Sequence, residues 1–372
     1  MEDVCQVEIP LRGAYGGNNA IHRLDQADRA LVEARTEGVQ RVEDQTAITS
    51  ADTTPAGGDR ASAGSSSQEF APTSERKRIF DGYMMVDWSS SSTPCWGRNS
   101  IWIGCGEWAG DTLFETWRNP HTRHQAFTAM AETLARWCAE GKRCLVGLDF
   151  AFGYPAGFAA ALRLADPPWK AILNHVAQGI TDTAQNHHNR DAFAAACNAT
   201  ISSGPGPFWG CHGGAMCTTL TTRRVGLFTF PQAGMEEYRT TERRANQITT
   251  IQSVWKLNQG VSVGGQTLLG LKYLHQLRND PTRSVATQIW PFETGWGVGD
   301  ARVVLAEIFP SVVPLDGTLS GVSDLIQVRS CVRHAAKEDS LGALGARFLR
   351  PVGLTSTEEV LIRGEEGWIL FV

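Results

Sequence analysis

The chain has 372 residues and a formal net charge of −5, which comes from 34 Lys and Arg against 39 Asp and Glu. A hydrophobic content of 42% is typical of a globular protein, and 38 Gly with 16 Pro exclude a collagen-like chain. The mild acidity argues against a protein that coats nucleic acid nonspecifically. Because the sequence contains no run of about 18 apolar residues, no membrane span is expected.

Charge and aromatic content change together at residue 77. Residues 1–77 hold 8 basic and 13 acidic residues, whereas residues 78–372 hold 26 of each and are neutral. All 12 Trp lie after residue 77, and the first segment has only Tyr15 and Phe70 as aromatic residues. A segment so poor in large apolar side chains buries too little area to offset its ordering entropy. We therefore predict a disordered low-complexity leader over 1–77, followed by one domain over 78–372.

The compartment is predicted from the amino terminus and from the cysteines. The first residues have neither the basic region nor the apolar stretch of a signal peptide. The nine Cys show no regular spacing, and most lie in apolar patterns that are typical of buried thiols in a reducing compartment. A cytoplasmic protein is therefore expected.

The elements after residue 77 begin in the order β-β-β-α-β. Short apolar or alternating runs predict strands over 82–88, 100–105, 112–117 and 144–149, and apolar residues at helical spacing predict a helix over 119–141. A largely helical insertion is predicted over 154–284. Strands over 286–291 and 303–310 then resume the pattern, and a last helix is predicted from Ser323 to about Leu349. The expected fold class is α/β, with a mixed sheet in the order β-β-β-α-β-α-β-α.

Four acidic residues stand where such a sheet could bring them together. Asp87 and Asp149 each end a predicted strand, Glu307 lies near the end of another, and Asp339 lies on the last helix. Carboxylates at one site repel each other, and a hard divalent cation relieves that repulsion. The pattern therefore predicts a site for Mg²⁺ or Mn²⁺. The alternative is that each acid is a solvated strand end or a surface charge on a helix.

Four sequence blocks resemble those of a bacterial family known as domain of unknown function 429, which has the ribonuclease H-like superfold. The blocks span 86–88, 147–155, 306–310 and 336–343. Further blocks over 86–89, 207–210, 253–257 and 290–295 resemble longer bacterial proteins that are often labelled as associated with cobalamin or molybdopterin biosynthesis.

The resemblance implies a ribonuclease H-like fold and a catalytic, metal-binding role for the four acids. The fourth position departs from the family pattern, so Glu338 or Asp324 could replace Asp339 there. Glu293 is a rival to Glu307.

Candidate substrate-binding residues lie beside the acids and in the insertion. Ser89 and Ser90 follow Asp87 in a hydroxyl-rich turn, which could hold a phosphate through its backbone N–H groups or could simply be solvated. Basic and aromatic residues alternate in the insertion, as is typical of sites for single strands or nucleotides, although solvated surface charges are the alternative. The candidates there are Arg243, Trp255 and Lys256. Arg190 is a further candidate because it follows two histidines and an asparagine that could line a polar pocket, although a helix cap with a surface charge is the alternative.

These patterns favour a divalent-metal-dependent hydrolase or nuclease-like enzyme that acts on a phosphodiester or a nucleotide. The partner would then be a nucleotide or nucleic-acid substrate, with no membrane. A non-catalytic module of the same fold that binds a ligand or nucleic acid is the alternative. An actin-like phosphotransferase, or a protein associated with cofactor biosynthesis, is a further possibility.

Overall fold

The computed structural model describes residues 78–226, 228–231, 234–258 and 262–372. In these residues, seven strands form one mixed sheet, and nine α-helices surround it. The strands are β1 (Gly82–Asp87), β2 (Trp102–Ala109), β3 (Thr112–Arg118), β4 (Cys144–Asp149), β5 (Thr287–Ile289), β6 (Val303–Ile308) and β7 (Ile369–Leu370). The predicted leader over 1–77 lies outside the described residues.

The sheet has the strand order β3-β2-β1-β4-β6-β5, and β7 also pairs with β6. β1, β2 and β3 pair antiparallel, whereas β1, β4, β6, β5 and β7 are joined by parallel pairing. The central strands β1, β4 and β6 are almost wholly buried, as expected for parallel strands with both faces covered. β3 alternates between exposed and partly buried residues and lies at the edge.

The helices lie between and after the strands. Helix α1 connects β3 to β4, and the five helices α2 to α6 lie between β4 and β5. Their bounds, with those of α7 to α9, are α1 (Arg123–Ala139), α2 (Phe158–Ala161), α3 (Pro168–Gly179), α4 (Arg190–Ser202), α5 (Thr240–Ala245), α6 (Gly264–Arg278), α7 (Ser323–Ser340), α8 (Leu344–Arg347) and α9 (Ser356–Leu361). One π-helical turn, Ile362–Glu366, continues α9.

The two faces of the sheet are covered by different parts of the chain. On one face, Met84 and Val146 belong to an apolar cluster that also includes residues of α1, α3 and α6. On the other face, Met85 and Leu145 join a second cluster with α7 and the residues after it. The helices of the predicted insertion therefore share a core with the sheet.

The last predicted helix is shorter in the structure than in the sequence analysis. Helix α7 ends at Ser340, and Gly342 follows with a φ of +71°, a conformation that favours glycine at a helix end. A separate short helix, α8, follows this turn. In the described part of the chain, no helix is long and apolar enough to cross a membrane.

Candidate functional site

Two aspartates lie side by side at the carboxyl ends of the central parallel strands. Asp87 ends β1 and Asp149 ends β4, and the two residues are direct partners in the parallel register. Both line a cleft of about 690 Å³ at this edge of the sheet. Among the described residues, no hydrogen-bond donor or cation contacts either carboxylate. The open end of a parallel sheet is where α/β proteins bind ligands.

Burial and mutual repulsion disfavour the charged forms of both aspartates. Burial raises the pKa of Asp87 well above its ordinary value, and the charges of Asp149 and Asp324 raise it further. Burial, followed by the charge of Glu307, raises the pKa of Asp149 to about 7. Two buried carboxylates without a cation are unfavourable in the fold, and such perturbed acids in a cleft are typical of functional sites.

A third carboxylate, Asp324, lines the same cleft from the first turn of α7. Its Oδ2 accepts a hydrogen bond from the backbone N–H of Asn99 at 2.6 Å, and its Oδ1 accepts one from Ser323 Oγ at 2.6 Å. Its position near a helix N-terminus also favours a negative charge. Unlike the two strand-end aspartates, Asp324 is therefore fixed by neutral donors.

Glu307 also lines the cleft, but its charge is already compensated. Arg239 Nη2 donates to Oε1 at 2.6 Å, Arg239 Nη1 donates to Oε2 at 2.8 Å, and the backbone N–H of Phe152 donates to Oε2 at 2.9 Å. The same guanidinium also contacts Glu242 Oε1 through Nε at 3.0 Å. Arg239 is 1% exposed, so these residues form a buried ionic triad at the wall of the cleft. The structure therefore gives Glu307 a bidentate arginine partner in addition to its place in the cleft.

The structure does not bring Asp339 to the cleft. Its carboxylate accepts hydrogen bonds from the backbone N–H groups of Ile79 and Phe80, each at 2.9 Å, and from Tyr83 Oη at 2.6 Å. These donors lie at the start of β1, opposite the end that carries Asp87. Asp339 therefore fixes the entry of the chain into the sheet, and Asp324 is the acid that α7 supplies to the cleft.

The two rival acids also lie outside the cleft lining. Glu293 Oε2 accepts a hydrogen bond from Arg278 Nε at 2.6 Å and another from the backbone N–H of Ile289 at 2.8 Å. Glu338 pairs with the side chain of Arg347. Both acids are thus used in local ion pairs.

The serine turn after β1 lies at the cleft and is held by two buried arginines. Ser89 and Ser90 both line the cleft. Arg123 Nη1 donates to the carbonyl oxygens of Ser89 at 3.1 Å and Ser91 at 2.7 Å, and Arg190 Nη1 donates to the carbonyl oxygen of Ser90 at 3.2 Å. The side chain of Arg190 thus contacts the backbone of this turn.

Three other predicted substrate-binding residues do not line the cleft. Arg243 is exposed and donates to the carbonyl oxygen of Tyr238 at 2.7 Å. Trp255 is fully buried and packs among aromatic rings, with its ring centroid 5.1 Å from that of Tyr154. Lys256 Nζ donates to Gln252 Oε1 at 3.1 Å. The basic and aromatic pattern of the insertion therefore reflects mostly packing and local pairing.

Sequence reasoning missed the carboxamides that line the cleft, because Asn and Gln are common in loops and carry no distinctive spacing. These residues are Asn99, Gln252, Asn258, Gln266 and Gln327. A signal existed only for Gln266, which follows two glycines. A Cβ at Gly264 would contact the backbone oxygen of Val254, and would lie 2.6 Å from that of Lys256. The glycine thus allows α6 to approach the preceding loop closely and presents Gln266 at the cleft.

No group of three or more His, Cys, Asp and Glu side chains in the described part of the chain has an arrangement that could hold a metal ion. The strand-end aspartates are instead a pair, with Asp324 close enough for its charge to affect Asp87. Nothing matched the chain in comparisons with protein-family models, curated proteins and solved structures.

Proposed function

We propose that the chain is a divalent-metal-dependent hydrolase of ribonuclease H-like fold that acts on a phosphodiester or a nucleotide. The fold proposal is supported by three antiparallel strands followed by parallel ones, with an aspartate at the end of β1. It is also supported by the resemblance of four sequence blocks to the domain of unknown function 429 family.

The observation that carries the functional proposal is the uncompensated pair formed by Asp87 and Asp149. Both carboxylates line the cleft, and the described residues offer them no positive charge or donor. Mg²⁺ is usually bound by only one or two protein carboxylates, with water and substrate oxygens completing its octahedron. Two aspartates thus fit Mg²⁺ or Mn²⁺ even without a third protein ligand.

The chain's own residues would bind and orient the reactants. Asp87 and Asp149 would hold the cation, and Asp324 adds a negative field on the α7 side of the cleft. The buried Arg239–Glu307 pair fixes the wall next to β4 through the backbone N–H of Phe152. A bound divalent cation supplies Lewis acidity and lowers the pKa of a coordinated water.

Titration of the protein with MnCl₂ by isothermal calorimetry at pH 8 tests the first step. The wild type should bind Mn²⁺, and both Asp87→Asn and Asp149→Asn should weaken binding at least about tenfold, as expected when a direct ligand is lost. Glu293→Gln is the matched control, because this acid lies outside the cleft lining and should leave affinity unchanged. A wild type that binds no Mn²⁺ at millimolar concentration would contradict the proposal.

Hydrolysis of bis(4-nitrophenyl) phosphate with and without Mn²⁺ tests the second step. We expect Mn²⁺-dependent release of nitrophenolate that is lost in Asp87→Asn.

A second candidate function, a non-catalytic module that binds a ligand in the same cleft, is favoured by the lack of a three-residue metal cluster in the described residues. Binding of Mn²⁺ without hydrolysis of this diester or of nucleotides would support that module instead.

A further inference from the structure

The cleft has a large excess of negative charge. Among its described lining residues, five are acids and one is a base. The base is Arg239, which is fully used by two of those acids through contacts of 2.6 to 3.0 Å. The acids are Asp87, Asp149, Glu242, Glu307 and Asp324.

The neighbouring arginines are also engaged in the fold and do not form a phosphate clamp. Arg123 is fully buried and makes a two-pronged ion pair with Asp182, in addition to its contacts with the serine turn. Arg190 is 5% exposed and contacts Asp191 Oδ1 at 3.2 Å as well as the carbonyl oxygen of Ser90. Nonspecific binding of a nucleic-acid strand depends on several Lys or Arg side chains that neutralise successive phosphates. The described cleft residues do not provide such a row.

Neutral hydrogen-bonding groups are frequent in the lining of the cleft. The cleft is lined by five carboxamides, and that of Gln327 has no hydrogen-bond partner among the described residues. The indole N–H of Trp88 is also buried and unpartnered in the described part of the chain, although the residue lines the cleft and is 1% exposed. A buried donor without a partner in the fold can donate a hydrogen bond only to a group from outside the described residues. The volume of about 690 Å³ matches that of a small-molecule site.

We propose that the cleft selects a small substrate of nucleotide size with a single phosphoester, and that it excludes nucleic-acid strands. The carboxamides and Trp88 would bind neutral polar groups of the substrate, such as those of a base or a sugar. Each further phosphate of a strand would meet the carboxylates of the cleft without a compensating cation. The inference rests on the proposed function, because it names the substrate of the same site.

Binding of two probes in the presence of saturating MnCl₂ tests this inference. The probes are a dinucleoside monophosphate and a 20-nucleotide single strand, and calorimetry at 50 and 200 mM KCl gives the affinity of each. The dinucleotide should bind at least tenfold more tightly than the strand. Its affinity should fall by no more than about threefold between the two salt concentrations, the change expected for one phosphate contact, whereas six contacts would give about several hundredfold.

Two variants distinguish specific binding of the dinucleotide in the cleft from nonspecific binding elsewhere on the protein. Gln327→Leu removes a carboxamide without breaking any hydrogen bond described in the fold, and should weaken dinucleotide binding at least about fivefold, the effect of one lost hydrogen bond. Gln185→Leu is the control, since Gln185 is exposed and outside the cleft lining, and should change nothing. Equal effects of the two variants would contradict the inference.

The experiment also distinguishes the inference from the function on which it rests. If Mn²⁺ fails to bind in the titration described above, the metal-dependent function fails. The same probe comparison without metal then still tests the charge argument, and dinucleotide preference with shallow salt dependence supports it. If Mn²⁺ binds, tighter binding of the strand with a steep salt dependence overturns the inference, and so does the absence of any dinucleotide binding.

Discussion

Replacement of Asp149 by asparagine should stabilise the metal-free protein at pH 8. The pKa of this buried carboxyl is raised from an ordinary 3.8 to about 7, so the folded chain keeps a proton that the unfolded chain loses between these values. Stability must therefore fall as pH rises from 3.8 to about 7, and the full penalty applies above that range. At about 1.4 kcal/mol for each pH unit, the penalty is about 4 kcal/mol, an upper limit because Asp149 interacts with neighbouring acidic groups.

Thermal unfolding in EDTA at pH 8 and at pH 4 measures this effect. For a domain of this size, each kcal/mol shifts Tm by about 2 °C, so Asp149→Asn should raise Tm by about 4–8 °C at pH 8. The gain should disappear near pH 4, where the wild-type carboxyl is protonated in the fold. Adding MnCl₂ at about 100 times its Kd should stabilise the wild type by about 2.7 kcal/mol. The difference in Tm between the wild type and Asp149→Asn should therefore become smaller.

Asp339→Asn is the control of opposite sign. Its carboxylate accepts three hydrogen bonds, two of them from backbone N–H groups, and an amide cannot accept all of them. It should lower Tm at pH 8, with a cost of about 1–3 kcal/mol. A lower Tm for Asp149→Asn in EDTA at pH 8 would refute the reasoning, because it would mean that a partner in the fold stabilises this carboxylate.

Three further substitutions test the surroundings of the cleft. Arg239→Met leaves the carboxylate of Glu307 buried without a charged partner, and should cost about 3–5 kcal/mol in urea unfolding at pH 7. A variant as stable as the wild type would contradict the ion-pair geometry. Arg123→Lys loses the two-pronged contact with Asp182 and one support of the serine turn, so amide hydrogen exchange in residues 89–91 should become at least tenfold faster. Gly270→Ala would place a Cβ 2.5 to 2.6 Å from ring atoms of Phe150. This substitution should lower the free energy of unfolding by about 1–3 kcal/mol in the same urea assay.

The strand ends were predictable because they depend on local patterns. The runs ending at Asp87 and Asp149 are almost continuously apolar, which indicates strands buried on both faces, and the turn or loop after each is evident from its composition. Their adjacency required only that the two strands be parallel neighbours, as the pairing shows. The pair at the centre of the site was therefore within reach of sequence reasoning.

The acid supplied by α7 was not predictable in the same way. Asp324 and Asp339 are 15 residues apart on one helix, so their backbones are separated by about 22 Å along its axis. Which of the two reaches the cleft depends on the direction in which α7 crosses the sheet, and helical spacing carries no information about direction. From the pattern alone, Asp324 is only a substitute for Asp339, whereas the structure places Asp324 at the cleft.

The roles of the arginines depend on contacts between distant parts of the chain. Arg239 meets Glu307 across 68 residues and the backbone of Glu366 across 127 residues. A basic residue next to aromatic ones is equally compatible with a surface that binds phosphate and with a buried ion pair. Only the tertiary structure decides between these alternatives, because burial of the guanidinium follows from packing and not from its neighbours in sequence.

The π-helical turn has a consequence for when the cleft can form during synthesis. Glu366 accepts hydrogen bonds from the backbone N–H groups of Thr240 and Ala156, and Glu365 accepts one from Ala159, so this turn ties together two distant segments of the insertion. Translation reaches these two glutamates only after both of the segments that they tie together. A nascent chain that has not yet reached them lacks this tie, so we expect the cleft to be incomplete until both glutamates have been synthesised.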